Sequence, residues 1–458
     1  MAERRLDQQT KDVVKTAWAS LLQRYQTDTA TDEYHWTDNE GDVGFLKDVD
    51  ALNALIEPFL LSPNSFVDPA LKLEDLASRV EKLLQQVHTQ SINEEADTEV
   101  DSLSRYLGFS AAPYPYIQLE LDFIDSASAV LRLICNVANL YAFQKQPIQK
   151  PLEKLMTNVA RTAVDFLLSA RIEDKSGVRW SGFSKRVDTA GKYANLFFTN
   201  CAALALHNSL ETPGVKNWIG QRREQIESTL RRVIAWVTTQ YDPATNGFWM
   251  DEARTQTQVM GVLYALEVLY TIAETLPEEV RENCARSLTA VVEKMTETTK
   301  ASALQRDFYH ILPLPSGLGN TFYDDRKYIG AFLSLFTLAK AKDPNIVTEA
   351  FIQAGNVLYA GVSDEWIDDP SNLWDDGRPL ICFSQDALIG LVNFAIEGKV
   401  DTINLGEFDL RFAIRDTLKS DEVVEAIFSV LLDKARSRRD KELTSKINKV
   451  ASASEGRR

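Results

Sequence analysis

The stretch VIAWVTTQYDPATNGFWMDE, residues 233–252, followed by TQTQVMGVLYALEVL from Thr255, decides the fold. It reads as a helix, a polar turn carrying Gly247 and the aromatic Trp249, an acidic connection, and then a second and more apolar helix. AVDFLLSARIEDKSGVRWSGF, residues 163–183, followed by YANLFFTNCAALAL, has the same order, with Gly177 and Trp180 at the turn. The repeating unit is a helical hairpin.

Weaker copies surround these two. They place Trp36 in EYHWTDNEGDVGFLKDVDALNALI, Tyr116 in YPYIQLELDFIDSASAVLRLI, Tyr323 in LGNTFYDDRKYIGAFLSLFTLA and Trp374 in NLWDDGRPLICFSQDALIGLVNFA. Successive aromatics are separated by 80, 64, 69, 74 and 51 residues, room for two helices at each step. Open solenoids repeat at shorter and more regular periods of about 33–47 residues, so the long, uneven period favours closure. The expectation is an all-α chain folded as an (α/α)6 toroid of six helical hairpins. An open α-helical solenoid is the alternative. We expect one toroid domain over 1–433, with an extra N-terminal helix, and a basic helix end or tail over 434–458.

Composition narrows the classes. The chain has 458 residues, 45% hydrophobic and 25% charged, and a net charge of −16, which repels nucleic-acid phosphates and argues against general nucleic-acid binding. No run of 18 apolar residues suggests a membrane span, and the charged start MAERRLDQQTKDVVKTAW is unlike a signal peptide, so a cytoplasmic location is expected. Cys135, Cys201, Cys284 and Cys382 are widely spaced in apolar helices and read as reduced core residues.

Arg232, Trp236, Gln240, Asp242, Gly247 and Trp249 form a turn that resembles the repeat of the prenyltransferase and squalene cyclase superfamily, whose members are α/α toroids. Gly177 and Trp180 are a looser match, and the other four units match in layout. The chemistry of that superfamily does not carry over. There is no DxDD acid motif, and YDDRKY, IDDPSN and WDDGRP each fail the DDxxD pattern that holds magnesium on a diphosphate. No Asp-x-Cys or Cys-His dipeptide occurs, and Cys201 and His207, six apart on one helix, do not share a face, so no metal and no cofactor are expected. GxSxG, HExxH, P-loop and GxGxxG motifs are absent too.

The turns themselves are acidic and aromatic: Trp36; Trp180 with Asp188; Trp249 with Asp251; Tyr323 with Asp324, Asp325 and Arg326; Trp374 with Asp375, Asp376 and Arg378; and Asp122 with Asp125 ahead of the second apolar helix. Converging on one mouth of a ring, opposed carboxylates could act as general acid and base on a glycoside, or grip a ligand beside aromatic faces. Capping of the next helix by Asp and packing of Trp between helices asks only for local geometry, and is the simpler reading for most of them. His35 and His310 suit proton transfer but have no partner visible in sequence.

Residues 434–458 hold nine Lys or Arg against three acids, a local charge of +6 suited to an acidic partner or to a solvated helix end. With the acid and metal motifs missing, the sequence points to a non-catalytic recognition or scaffold protein that binds a protein or peptide, with a pocket able to take a small molecule. The alternative is an enzyme of the same fold, either a cyclase or lyase with a non-standard acid or a glycosidase using turn carboxylates.

Overall fold

Helices of a closed ring differ in how many sides they must cover. VMGVLYALEVLYTI is apolar at nearly every position, which suits a helix enclosed all round, whereas RENCARSLTAVVEKM keeps a polar face for solvent. The computed structural model describes residues 6–27, 34–36, 45–95, 124–182, 194–251, 259–302, 325–348 and 381–398, with Arg254 and parts of 350–359.

Contacts divide the chain into two compact units: residues 1–291 with 314–399, and residues 292–313 with 400–458. In the second, the structure describes the end of one helix, and residues 434–458 lie outside the described residues. The first holds the toroid. Its inner helices are α2 (Phe45–Leu61), α4 (Ile124–Phe143), α6 (Leu196–Glu211), α9 (Val259–Ile272), α11 (Asp325–Lys342) and α12 (Ile381–Gly398). Each packs on the next in that order, and α12 returns to pack on α2, so the ring closes and the open solenoid is excluded. By length and composition α4 could cross a membrane, but most of it is buried within this ring.

The outer helices α1 (Gln8–Gln23), α3 (Leu73–Glu95), α5 (Lys150–Ala170), α8 (Arg223–Thr239) and α10 (Glu278–Ser302), with helical turns at 350–352 and 354–356, each precede an inner helix. α1 packs against α2 and α12 and is thus the outer member of the first hairpin; it is not the extra helix expected from sequence. A short α7 (Pro213–Ile219) lies between α6 and α8.

Among the described residues, three antiparallel ribbons join outer to inner helices: β1 (Tyr25–Thr27) with β2 (Tyr34–Trp36), β3 (Ile172–Asp174) with β4 (Gly177–Arg179), and β5 (Tyr241–Asp242) with β6 (Gly247–Phe248). Since each follows an outer helix and leads into an inner one, all three gather where the inner helices begin. The superfamily-like residues build these ribbons. Gly177 sits at φ +137°, and a Cβ there would come within 2.4 Å of the Arg232 carbonyl and 2.7 Å of Trp236. Arg232 pairs with Glu173 and donates to the Asp174 carbonyl at 2.5 Å, while Trp249 N donates to the Gln240 carbonyl at 2.8 Å. The motif therefore interlocks neighbouring hairpins and needs no chemistry to explain it.

α11 and α12 approach most tightly at Gly330 and Gly390, where a Cβ on Gly390 would lie 2.5 Å from the Gly330 carbonyl oxygen. Cys135 and Cys284 are core residues, each thiol pushed up to about 12 by burial, and Cys201 is half-buried.

Two outcomes follow for stability. Gly390→Ala forces α11 and α12 apart and lowers unfolding free energy by about 1–3 kcal/mol in urea titrations, while Gly214→Ala, whose Cβ meets nothing closer than 3.8 Å, stays within about 0.5 kcal/mol of the parent. In the β3–β4 ribbon, Ser176 hydrogen bonds and the Arg179 guanidinium hold the Asp174 carboxyl at about 2, below its ordinary 3.8. A depressed carboxyl stabilises above its unfolded pKa and ceases to do so as pH falls through the folded one. Thermal melts of Asp174→Asn should therefore lose less stability than the parent between pH 4 and pH 2.

Candidate active site

The aromatic turn residues divide on inspection. Trp36 and Trp180, expected at a ligand mouth, are 1% and 0% exposed. Trp36 Nε1 donates to the Leu21 carbonyl at 3.0 Å and Trp180 Nε1 to the Leu167 carbonyl at 2.7 Å. Both carbonyls lie in the last turn of the preceding outer helix, where regular intrahelical donors run out. These tryptophans pin each ribbon to the helix before it, which corrects their placement at the mouth. Trp249 is half-buried at the end of the third ribbon.

Among the acidic residues, Asp251 precedes α9, bridges to Asn195 at the start of α6, and accepts from Arg254 N at 3.1 Å. These contacts hold the turn ahead of α9. Asp125 occupies the first turn of α4, half-buried, and accepts from Ser126 N at 2.9 Å. Asp325 and Arg326 open α11. Asp122, Asp188, Tyr323, Asp324, Trp374, Asp375, Asp376, Arg378 and His310 lie outside the described residues.

His35 gains a partner that the sequence did not reveal. Its Nδ1 lies 2.7 Å from Asp48 Oδ2, and Asp48 Oδ1 accepts from Trp36 N at 2.8 Å, so the buried pair seats the first ribbon on α2. His207 is half-buried on α6, its pKa lowered mainly by burial. Among the described residues no cluster of three or more His, Cys, Asp or Glu could hold a metal ion.

The charges that do meet are on the inner helices. Arg132 on α4 donates through Nε to Glu57 Oε1 on α2 at 2.5 Å and through Nη2 to Glu57 Oε2 at 2.7 Å, and Gln385 on α12 donates to the same Oε2 at 3.4 Å. Burial works against the Arg132 charge. Glu57, then Asp386 on α12 and Glu267 on α9, outweigh it and raise the guanidinium above its ordinary value. Glu267 Oε2 in turn accepts from Asn200 Nδ2 on α6 at 2.8 Å. In the ring α12 and α9 are each two helices from α4, so an arginine that senses both points into the lumen.

A second layer lies nearer the ribbons. Asp50 and Asp125 stand seven residues before Glu57 and Arg132 on their own helices, hence on the same faces and about 10 Å closer to the helix N-termini. Asp50 is 7% exposed. The lumen thus carries Asp50 and Asp125 above, and Glu57, Arg132, Glu267 and Asp386 below. Reading the turns for function missed five of these six. The signal was a lone charge amid apolar residues, as in LNALIEPFLL, AVLRLICNV, LYALEVLYT and SQDALIGL, where a charge with no lumen to face would be costly.

No family model and no curated protein sequence matches the chain. Solved structures similar to the chain include two of family 76. One, a GH76 alpha-mannanase of Bacteroides thetaiotaomicron, is 12% identical over 84% of this chain and 95% of its own, with a TM-score of 0.47. The other, a family 76 glycoside hydrolase from a bovine strain of Bacteroides thetaiotaomicron, is 12% identical over 85% of this chain and 78% of its own, with a TM-score of 0.51. The likeness to the second is one of fold. It supports an α/α toroid but not the prenyltransferase and cyclase superfamily in particular. It also corrects the expectation of a non-catalytic scaffold, because the missing DxDD, DDxxD and zinc motifs belong to other chemistries and say nothing against a glycosidase.

The lumen pair can be tested by stability alone. Arg132→Met strands Glu57 and should cost about 3–5 kcal/mol in chemical denaturation, with Glu57→Gln in the same chain recovering a substantial part.

Proposed function

We propose that the protein is a glycoside hydrolase that takes a glycan into the mouth formed by the ribbons and cleaves it with carboxylates at the top of the lumen. The observation that carries this reading is the two-layered set of acidic side chains converging from neighbouring and opposed inner helices, with Asp125 half-exposed at the level of the inner-helix N-termini. Likeness of fold to glycoside hydrolases supports it as well.

Glycoside cleavage needs one carboxylic acid to protonate the leaving oxygen and one carboxylate, across the sugar ring, to activate water or attack the anomeric carbon. Asp125, Asp50 and Asp251 are the candidates, because they sit towards the ribbon end where a chain of sugars enters. Glu57 gives both oxygens to Arg132 and Glu267 gives one to Asn200, so these two act as a fixed floor that orients the groups above them.

Reducing-end release from a panel of α- and β-linked polysaccharides, α-mannan included, provides the test. The parent should cleave at least one. Asp125→Asn, and one of Asp50→Asn or Asp251→Asn, should lower kcat about 10²–10⁴-fold while KM changes little. No cleavage across the panel, or full kcat in all three variants, overturns the reading.

A further inference from the structure

Burial along α6 is one-sided. Phe197, Cys201, Leu204 and Asn208 are half-buried at spacings of i, i+4, i+7 and i+11, which is one face of a helix, while Thr199, Ala202 and Leu206 on the far side are buried. Thr199 turns towards the second ribbon, where its Oγ1 accepts from Trp180 N at 3.1 Å. Phe197, two residues earlier and so about 200° round the helix, faces the axis of the ring. On α4, Asp125, Ala129 and Arg132 are half-buried at the same spacing, and Arg132 marks that face as the lumen side.

Phe197 and Asp125 are the second residues of neighbouring inner helices. Gly182 ties the two helix starts to one level: Ile124 N donates to its carbonyl at 3.2 Å, and a Cβ on Gly182 would come within 2.6 Å of the Phe198 ring. The Phe197 ring is braced from two sides, its centroid 4.9 Å from that of Phe198 and 5.5 Å from that of Tyr264 on α9. Tyr264 stands three residues before Glu267, and Phe197 three before Asn200, so this aromatic contact lies one turn above the Asn200–Glu267 bond, towards the ribbons. A fixed aromatic ring thus stands on the lumen wall next to the carboxylate of Asp125.

We propose that Phe197 is the sugar platform of the site: the pyranose ring whose glycosidic oxygen meets Asp125 lies with its C–H face on the phenyl ring. This rests on the glycoside hydrolase reading and adds to it the residue that holds the sugar. A pyranose is amphipathic, with hydroxyls round its rim and C–H groups on its faces. The rim is served by the charges that α2, α4, α9 and α12 turn to the lumen, but the face needs an apolar partner shielded from water. α6 supplies it, since Phe197, Cys201 and Leu204 form a strip without charge directly beside the Asp125 face. Contacts with Phe198 and Tyr264 hold the ring in place before any ligand arrives, so little side-chain freedom is lost on binding.

Affinity electrophoresis tests the platform, with the full chain run through gels cast with each polysaccharide of the cleavage panel, α-mannan included. The chains carry Asp125→Asn so that binding is read without turnover. At least one polysaccharide should retard the chain, Phe197→Leu should weaken that retardation about tenfold, and Phe197→Tyr should restore it to within about threefold. Phe197→Leu keeps an apolar side chain against Tyr264 and should melt within about 4 °C of the parent. With Asp125 intact, Phe197→Leu should raise KM about tenfold and leave kcat within about threefold. No retardation by any polysaccharide, full retardation of Phe197→Leu, failure of Phe197→Tyr to rescue, or a larger fall in melting temperature overturns the proposal. Retardation that depends on Phe197 in a chain that cleaves nothing overturns the hydrolase reading alone; loss of kcat in the aspartate variants beside an unchanged KM in Phe197→Leu overturns the platform alone.

Discussion

Everything in the toroid is arranged around one constraint: charges on helices that are otherwise enclosed can point in just one direction where they meet opposite charge. Glu57, Arg132, Glu267 and Asp386 each interrupt an apolar inner helix, and Arg132 brings them into one field across the lumen. The two-pronged bond to Glu57 joins α2 to α4, Gln385 brings α12 to the same carboxylate, and Asn200 with Glu267 joins α6 to α9. Five of the six inner helices are thereby keyed to the axis by side-chain bonds or charge. The sixth, α11, is held by backbone proximity to α12 at Gly330 and Gly390.

The hairpin layout was legible because it is written locally. An apolar helix, a Gly-bearing turn and an aromatic recur in order, and the residues from Arg232 to Trp249 carry that order without any need of distant partners. What those aromatics do was legible as the simpler of two readings. Trp36 and Trp180 pack and donate to carbonyls thirteen to fifteen residues earlier, and that short separation is what the simpler reading required. The lumen charges were hidden for the opposite reason. Glu57 and Gln385 are 328 residues apart, and nothing in either neighbourhood announces the other. His35 and Asp48, thirteen apart, fell between these cases, because their meeting depends on how the first ribbon folds back on α2.

The functional expectation failed through its choice of comparison. Testing the sequence against cyclase, prenyltransferase and zinc motifs excludes those reactions and no others. A glycosidase asks for nothing but carboxylates at suitable separation, and carboxylates on separate helices leave no contiguous motif. The turn that resembles the cyclase repeat reports how adjacent hairpins lock together, a requirement shared by toroids of unrelated chemistry.

Closure of α12 on α2 also fixes the order in which the chain can become complete. A stack of repeats can stop at any unit that carries a polar outer face, but a ring has no terminal unit to spare. During synthesis α2 is made early and its apolar flank must wait for α12, more than three hundred residues later, as the Thr10 hydroxyl must wait for the Tyr359 hydroxyl 349 residues on. Loop entropy at such separations grows slowly, while the time spent with an unpaired flank grows with every residue added. The ring is complete only when the first and last inner helices bury one another, and a nascent chain that has reached α9 already owns most of the lumen charges but has no ring to hold them in.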